Sequence, residues 1–348
     1  AESTFKRIGH INIIANEIIG MDEPYYYRNK IQVPIGMAKE KVIAGYYKKK
    51  SHDIIQFDKC YIQPEYMTDM VHFLRNLANE YKLEVYDEEK KTGNLRHILI
   101  RNNYQDDVML ALITHEDKIK DIDMIVEKII NRYPQVKSII HNINNRGNNV
   151  ILGNDYKLLY GEENLTEELL DLKFSISHKS FFQINLKQTE KLYKRAIEYL
   201  NPQDNETIID GYCGVGSITL AIANKAKQVY GIEIVEEAIE NAKVNAKLNN
   251  INNVTFLVGK VEDKIDSLLS EGIDSIVFDP PRKGIEEIVL RKTMETKIKK
   301  IVYVSCNVAT LARDLAILNE EYDIKKVSLV DMFCQTAAVE AVALLIKR

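Results

Sequence analysis

The sequence predicts an α/β protein in two parts: an α+β domain over residues 1–172 and a Rossmann-like, doubly wound sheet domain over residues 173–348. Three observations lead to this prediction. A chain of 348 residues is long enough for two hydrophobic cores. From residue 207 onward, short apolar runs alternate with amphipathic helical stretches, which is typical of a parallel sheet. Before residue 172 the apolar runs instead pair as hairpins around two helices.

The composition is that of an ordinary globular protein, with 45% hydrophobic and 28% charged residues. No apolar run approaches the ~20 residues of a membrane-spanning helix, so we expect no membrane association. The four cysteines form no Cys-x-x-Cys pair, which argues against a disulfide framework or a structural zinc site. The chain starts at Ala1 without a Met or a visible signal peptide, so we expect a cytoplasmic protein that was processed or is part of a longer chain.

The charge distribution is more informative than the net charge of −4. Residues 1–50 carry nine Lys or Arg against five Asp or Glu. Basic and aromatic residues also interleave over residues 25–57, a pattern that can stack bases and pair with phosphates. A solvated hairpin edge protected by lysines would give the same pattern. The functional interpretation makes the first domain RNA-facing, with Arg28 and Lys30 as substrate-binding residues.

The first domain has predicted strands in runs rich in Ile, Val and Tyr, and two predicted helices with apolar residues at helical spacing. The strands are Ile11–Ile14, Ile31–Ile35, Val42–Tyr47, Ile54–Phe57, Leu95–Arg101, Asp107–Thr114, Val136–Ile143, Val150–Leu152, Tyr156–Tyr160 and Leu172–Ile176. The helices are Pro64–Tyr81 and Asp117–Arg132.

The second domain is predicted to alternate strands and helices, with ligand at the carboxyl ends of the strands. The strands are Thr207–Asp210, Gln228–Glu233, Val254–Val258, Ile273–Phe278, Lys300–Val304, Val327–Asp331 and Val339–Ile346. The helices are Leu186–Leu200, Ile218–Asn224, Val235–Asn249 and Glu286–Met294, with one more after residue 306. Just before this domain, the amides of Gln183 and Asn185 are placed to bind a ligand or a nucleobase edge.

A glycine-rich turn, Asp210–Gly216, follows the first of these strands. Its glycines let a ligand approach the backbone, but its leading carboxylate would repel a pyrophosphate and suits a cationic amino-acid group. Glu233 ends the next strand, where it can accept hydrogen bonds from two ribose hydroxyls; the alternative is a solvated strand-end acid. Because S-adenosylmethionine has an ammonium, a sulfonium and a ribose but no phosphate, these residues together indicate an S-adenosylmethionine site.

Asp279-Pro-Pro-Arg282 closes the fourth strand. Amino-methyltransferases place an aromatic ring after such a motif, whereas here Arg282 follows. The motif therefore indicates a rigid turn whose acid reaches the cofactor or base and whose arginine is available for phosphate. A purely structural Pro-Pro turn is the alternative.

Cys306 lies at the end of the fifth strand, before a helix that Asn307 or Thr310 can cap. The helix dipole at this position is expected to lower the pKa of the thiol. The alternative is a buried cysteine that fills a gap in the core. Uracil chemistry supports a nucleophile, since a thiolate that adds to C6 activates C5 for methylation and a base must then remove the C5 proton. Glu340 would be that base if its strand runs antiparallel to the strand of Cys306.

At these residues the chain resembles the RNA uracil-C5 methyltransferases that act on 23S ribosomal RNA or tRNA. The matching segments are Tyr27–Lys30, Ser51–Asp53, Leu95–His97, Phe181–Asn185, Asp210–Gly216, Asp279–Arg282, Tyr303–Asp314 and Asp331–Glu340. The resemblance implies Cys306 as nucleophile and Glu340 as base. It implies a cofactor site formed by Gln183, Tyr212, Gly214, Ser217, Glu233, Lys260 and Asp279.

The chain also departs from that family. The N-terminal oligonucleotide-binding barrel of many members is not in this sequence, and only Cys60 lies where a cluster ligand could fall, so we expect no iron–sulfur cluster. Cys334 and Ala338 replace residues that precede the base, a Pro and a His. We expect a monomer that methylates 23S rRNA. The alternatives are a tRNA uracil-C5 methyltransferase, a catalytically weakened RNA-binding protein, or a cytosine-C5 enzyme, which would carry a cysteine where Arg282 stands.

Overall fold

The computed structural model describes residues 1–269 and 271–348. They form two compact units. The large unit comprises Ala1–Pro24, Glu168–Phe174 and Phe181–Arg348. The small unit comprises Tyr25–Glu167 and Ser175–Ser180.

Helices and strands alternate in the second half of the chain, as predicted. The helices are α1 (Glu2–Ile8), α2 (Glu65–Glu80), α3 (Ile122–Arg132), α4 (Leu186–Leu200), α5 (Ser217–Ala223), α6 (Glu236–Leu248), α7 (Val261–Leu269), α8 (Glu287–Met294) and α9 (Val308–Leu318). The strands are β1 (Glu17–Ile19), β2 (Lys30–Ala38), β3 (Lys41–Ala44), β4 (Tyr46–Tyr47), β5 (Ile54–Ile55), β6 (Leu95–Asn102), β7 (Val108–Thr114), β8 (Val136–Ile143), β9 (Asp155–Gly161), β10 (Leu165–Leu169), β11 (Leu172–Ile176), β12 (Thr207–Gly211), β13 (Gln228–Glu233), β14 (Val254–Val258), β15 (Ser275–Phe278), β16 (Lys300–Ser305), β17 (Tyr322–Val330) and β18 (Glu340–Lys347).

The small unit is built on a mixed sheet with the order β3-β2-β6-β7-β8-β9. Its central strands β6 and β7 are buried along their whole length, because α2 and α3 contribute to the core on one side of the sheet and Ile151 and Leu152 pack against a second cluster. The predicted strand Val42–Tyr47 is interrupted at Gly45, where a Cβ atom would lie 2.0 Å from the carbonyl oxygen of Ile55.

The large unit contains the predicted α/β sheet, with the order β1-β17-β18-β16-β15-β12-β13-β14. Strands β12 to β16 run parallel to one another, whereas β18 is antiparallel to both β16 and β17. Helix α7 and strand β10 were not predicted from the sequence. No helix in the described ranges has the length and apolar character needed to cross a bilayer.

Residues 1–24 belong to the large unit, although the sequence placed them with the first domain. Phe5 of α1 lies in the same buried cluster as Leu311 of α9, and β1 extends the sheet by pairing in parallel with β17. Residues 11–14, predicted as a strand, have no regular secondary structure. The sequence could not show this placement because the partners of α1 and β1 lie some 300 residues away along the chain.

Three predicted site residues lie at the same edge of this sheet, where the parallel strands have their carboxyl ends. Asp279 follows β15 and Cys306 follows β16, which are parallel neighbours. Glu340 is the first residue of the antiparallel strand β18, and Ser305 pairs with Ala341. The end of β16 therefore meets the beginning of β18, as the role of Glu340 requires.

We expect Phe5→Ala to destabilise the protein by about 3–5 kcal/mol, because it removes a fully buried aromatic ring from the core of the large unit. Ile8→Ala, on the same helix but 39% exposed, is the matched control and should cost much less. Urea unfolding of both variants measures the difference. Equal, small losses would show that residues 1–24 do not pack on this core.

Candidate active site

The loop that carries Cys306 joins β16 to α9. Asn307 caps the helix, since its side-chain oxygen accepts a hydrogen bond from the Ala309 N–H at 3.0 Å. The side chain of Cys306 is partly exposed. The strand end thus presents the thiol at the surface of the sheet edge, as the sequence predicted.

The prediction of a lowered thiol pKa was wrong. Burial raises the pKa of Cys306, and the carboxylates of Glu340 and Asp279 raise it further, whereas Arg282 lowers it. The negative charges near the sulfur thus oppose the effect of the helix dipole, which would lower the pKa of the thiol. A raised pKa favours the protonated thiol over the thiolate at neutral pH.

Glu340 is buried at the start of β18, opposite Val330. Burial raises the pKa of its carboxyl to about 8, with a further contribution from Asp279 and an opposing one from Arg282. A carboxylate with a raised pKa is a stronger base than an exposed one. Cys306 and Glu340 share the same two charged neighbours, so their proton equilibria are linked.

Asp279 is the second carboxyl group beside the thiol. Burial raises its pKa to about 6, and a hydrogen bond from Tyr193 opposes this rise. The Tyr193 hydroxyl donates to Oδ2 at 3.4 Å and also makes a side-chain hydrogen bond with Gln183. Tyr193 therefore connects two predicted cofactor residues. Tyr193 was not predicted from the sequence, because a tyrosine at this position of α4 is typical of an ordinary core residue.

The glycine turn starts from a buried acid. Thr219 donates a hydrogen bond of 2.6 Å to Oδ2 of Asp210, whereas Oδ1 is buried and has no hydrogen-bond partner among the described residues. Burial raises the pKa of this carboxyl to about 7. An unpaired buried carboxylate oxygen is costly, so it marks a place where a donor group from a ligand would be stabilising.

Glu233 lies across the mouth of the same turn. Its carboxylate accepts hydrogen bonds from the N–H groups of Gly214 at 3.2 Å and Val235 at 2.9 Å. Gly214 has a positive φ of 55°, and there is open space where its Cβ would stand. Ser217 begins α5 directly after this turn. The turn is thus an open cradle beside two carboxylates, which suits a cationic ligand and not a phosphate.

The other two predicted cofactor residues occupy different surroundings. Tyr212 has a φ of 70°, and its ring centroid lies 6.3 Å from that of Phe278. Lys260 is exposed just before α7, and its Nζ lies 3.9 Å from Glu262. Tyr212 therefore packs against the end of β15, whereas Lys260 is at the surface.

A hydrogen-bond network joins the loop that carries Cys306 to the Pro-Pro turn. Asp314 is fully buried, and its Oδ2 accepts from the Ile285 N–H at 2.9 Å and from the Tyr303 hydroxyl at 2.6 Å. Its other oxygen accepts from Nε of Arg313 at 2.7 Å. Arg313 also donates to the carbonyl of Lys283 at 3.1 Å. Arg313 and Asp314 therefore serve as a scaffold for this loop.

The backbone of Arg282 is held by the same network. The carbonyl oxygen of Arg282 accepts hydrogen bonds from the Asn307 side-chain amide at 3.0 Å and from the Thr310 hydroxyl at 3.3 Å. The side chain of Arg282 is exposed. Gly284 is required here, because its φ is 79° and a Cβ would lie 2.6 Å from Oδ2 of Asp314. Arg282 is thus fixed at its main chain and free to reach a ligand with its guanidinium.

Asn185 does not face a ligand, contrary to the prediction. It is buried, caps α4 by accepting from the Gln188 N–H at 3.3 Å, and donates to the carbonyl of Met332 at 2.8 Å. Gln188 donates to the carbonyl of Asp331 at 2.9 Å. These amides hold the start of the loop that leads to Glu340. A single polar residue between apolar neighbours gave no sign of this distant partner.

The loop between β17 and β18 is stabilised by local hydrogen bonds at Cys334 and Ala338. The Cys334 thiol donates to Oδ2 of Asp331 at 2.7 Å, and burial raises its pKa to about 11. The Ala338 N–H donates to the Thr336 hydroxyl at 3.2 Å.

Arg28 and Lys30 lie in the small unit. Nε of Arg28 donates to the carbonyl of Lys30 at 2.9 Å, and Lys30 pairs with Arg101 across β2 and β6. Burial lowers the pKa of Lys30 to about 7, and the positive charges of Arg101 and Arg28 lower it further. These residues form a cationic cluster. Across the part of the chain that the structure describes, no group of three or more His, Cys, Asp or Glu residues could hold a metal ion.

Comparisons with known proteins agree with one another. The family model described as tRNA (Uracil-5-)-methyltransferase matches residues 22–348. An uncharacterized RNA methyltransferase of Oceanobacillus iheyensis is 46% identical over 98% of this chain and 76% of its own length. One of Clostridium acetobutylicum is 44% identical over 98% of this chain and 75% of its own length. The structure is similar to Pyrococcus abyssi tRNA (uracil-54, C5)-methyltransferase in complex with S-adenosyl-L-homocysteine, with a TM-score of 0.82 and 28% identity over 99% of this chain and 81% of that one.

The raised pKa of Glu340 predicts a pH-dependent stability. A carboxyl group whose pKa rises from 4.5 to about 8 on folding binds its proton more tightly in the folded state. Its protonation therefore stabilises the fold below pH 4.5, and this contribution is lost as the pH rises through 8. Glu340→Gln should flatten the decline of stability over this range, by up to about 1.4 kcal/mol per pH unit.

Thermal unfolding between pH 5 and 9 measures this difference. Glu295→Gln, which removes an exposed carboxylate, is the control for the loss of one formal charge. A Glu340→Gln variant that follows the wild-type pH curve would contradict the buried, protonated state of Glu340.

Proposed function

Because the chain belongs to the tRNA (uracil-5-)-methyltransferase family, we propose that it methylates C5 of uracil in RNA with S-adenosylmethionine as donor, and that 23S rRNA is its target. The observation that carries the proposal is the convergence of Cys306, Glu340 and Asp279 at one sheet edge. A second candidate target is tRNA, because the similar Pyrococcus abyssi enzyme acts on uracil 54 of tRNA.

The cofactor fits the cradle beside the glycine turn. S-adenosylmethionine, when bound, supplies an electrophilic methyl group. The unpaired Oδ1 of Asp210 suits its ammonium group, and Glu233 suits its ribose hydroxyls. Gly214 leaves the space that such a ligand needs. We propose Gln183, Tyr212, Ser217, Lys260 and Asp279 as further contacts.

Cys306 acts as the nucleophile in this proposal. Its partly exposed thiol loses a proton to solvent and the sulfur forms a bond to C6 of uracil, so that the electrons of the C5–C6 double bond move to C5 and the adjoining carbonyl. C5 is then nucleophilic enough to take the methyl group, with S-adenosylhomocysteine as the leaving group. Arg282, which lowers the pKa of Cys306, favours the thiolate that this step requires.

Glu340 completes the reaction as the base. Glu340 first loses its own proton, and its carboxylate then takes the C5 proton, so that the C5–C6 double bond forms again and the bond between C6 and sulfur breaks to release the thiolate. The raised pKa of Glu340 makes the carboxylate a better acceptor for a proton bound to carbon. Its place at the first residue of β18 keeps it opposite the end of β16.

RNA containing 5-fluorouridine should trap the protein covalently. After methyl transfer, C5 carries fluorine and a methyl group and has no proton for Glu340 to remove, so the bond between sulfur and C6 persists. Denaturing gel electrophoresis with labelled 23S rRNA and with tRNA measures the adduct and identifies the target. The adduct should require S-adenosylmethionine, vanish in Cys306→Ala and persist in Cys60→Ala. No adduct with either RNA would overturn the proposed reaction.

Glu340→Gln should trap ordinary uridine-containing RNA in the same way. The amide keeps the shape of the side chain but cannot take the C5 proton, so the reaction stops at the methylated adduct. We expect turnover to fall by at least 100-fold while a covalent complex accumulates. The exposed variant Glu295→Gln should turn over normally. Loss of turnover without any covalent complex would assign the base to another residue.

A further inference from the structure

Three tyrosine rings cluster on the surface of the small unit. Tyr25, Tyr26 and Tyr61 are 48%, 39% and 57% exposed, and their ring centroids lie 6.2–6.5 Å apart. Each ring touches the other two at a tilted or edge-on angle. We refer to these three residues as the tyrosine platform. Rings left in water at this density are typical of surfaces that bind a partner.

Backbone hydrogen bonds hold the platform in place. The Tyr26 N–H donates to the carbonyl of Tyr61 at 2.8 Å, and the Arg28 N–H donates to the carbonyl of Ile62 at 2.9 Å. The two segments that carry the rings are thus tied together. A binding surface that is already ordered loses little conformational entropy when a ligand arrives.

Side chains also fix the rings. Glu65 accepts a hydrogen bond from the Tyr26 hydroxyl at 3.3 Å and pairs with Lys59 at 2.7 Å. Nζ of Lys59 lies 5.2 Å from the ring centroid of Tyr61. The single carboxylate in these contacts is therefore paired with a cation, and it does not make the platform acidic.

Positive charge continues from the platform into the sheet. Arg28 follows the tyrosine segment directly, and Lys30 begins β2 beside Arg101. The charged groups that act on Lys30 are both cations, Arg101 and Arg28. Aromatic faces beside an excess of cations match the chemistry of unpaired nucleobases with flanking phosphates.

We propose that the tyrosine platform stacks on unpaired bases of the substrate RNA, with the Arg28–Lys30 cluster binding adjacent phosphates. This inference rests on the proposed function only in that the partner is RNA. Base stacking does not depend on which uracil is methylated. The platform would therefore bind single-stranded segments and contribute little to duplex binding.

Tyrosine substitution tests the role of the rings. Tyr25→Ala combined with Tyr61→Ala should weaken binding of a single-stranded RNA oligonucleotide by at least tenfold, and duplex RNA much less, in fluorescence anisotropy with the full chain. Tyr61→Phe keeps the ring and should bind as the wild type does. Tyr160→Ala is the matched control, since Tyr160 is also 39% exposed in the same unit. Unchanged single-strand affinity in the double variant would overturn the proposal and would favour a protein partner for this surface.

A fluorescent probe gives a second readout that does not depend on losing a side chain. The chain has no Trp, so Tyr61→Trp introduces a single indole that keeps a stacking surface. Single-stranded RNA should quench its fluorescence, whereas Tyr160→Trp should respond much less. Equal responses at the two sites would contradict the platform.

The two proposals fail in distinguishable ways. If the wild type forms the 5-fluorouridine adduct but the platform variants bind RNA normally, only the platform is wrong. If the wild type forms no adduct but the platform variants lose RNA affinity, the methylation reaction is wrong and the platform stands.

Discussion

The buried carboxylate of Asp314 is the contact on which the site depends. It joins α9, which starts just after the nucleophile, to β16 through Tyr303 and to the Pro-Pro turn through Ile285. The Pro-Pro turn is separate in sequence from β16 and α9, so this contact between them is a long-range one. Hydrogen bonds to a charged, desolvated acceptor are among the stronger ones in proteins, so they can hold such a contact. Gly284 leaves the room that this acceptor occupies.

Around this scaffold the fold buries carboxyl groups at positions where their ionisation is unfavourable. Burial raises the pKa values of Asp210, Asp279 and Glu340 to between about 6 and 8. Each of them would be more stable as an anion beside a positive charge. The bound state of a cationic donor would provide that charge for the acids it contacts. The same carboxylates raise the pKa of the Cys306 thiol, and a protonated thiol is less reactive than a thiolate.

Local patterns in the sequence predicted much of this arrangement. The alternation of strands and helices predicted the α/β sheet, and the Ser-Cys-Asn segment predicted a thiol at a strand end before a capped helix. The predictions that were wrong concern features that depend on long-range contacts. The pKa of Cys306 is raised by carboxylates at the ends of two neighbouring strands. The buried position of Asn185 depends on its hydrogen bond to Met332. The position of residues 1–24 depends on the pairing of β1 with β17. No window of the sequence contains both members of such a pair.

The position of β18 between β17 and β16 links folding order to chemistry. Both neighbours precede it in the chain, so this strand must insert between two strands that are already formed or assemble together with them. Before β18 is inserted, the end of β16 carries an exposed thiol without Glu340 opposite to it. In the proposed reaction, a chain that lacks β18 would have the nucleophile but no base to remove the C5 proton after methylation. Under that proposal, insertion of one antiparallel strand brings the base opposite the nucleophile in the same folding step that completes the sheet.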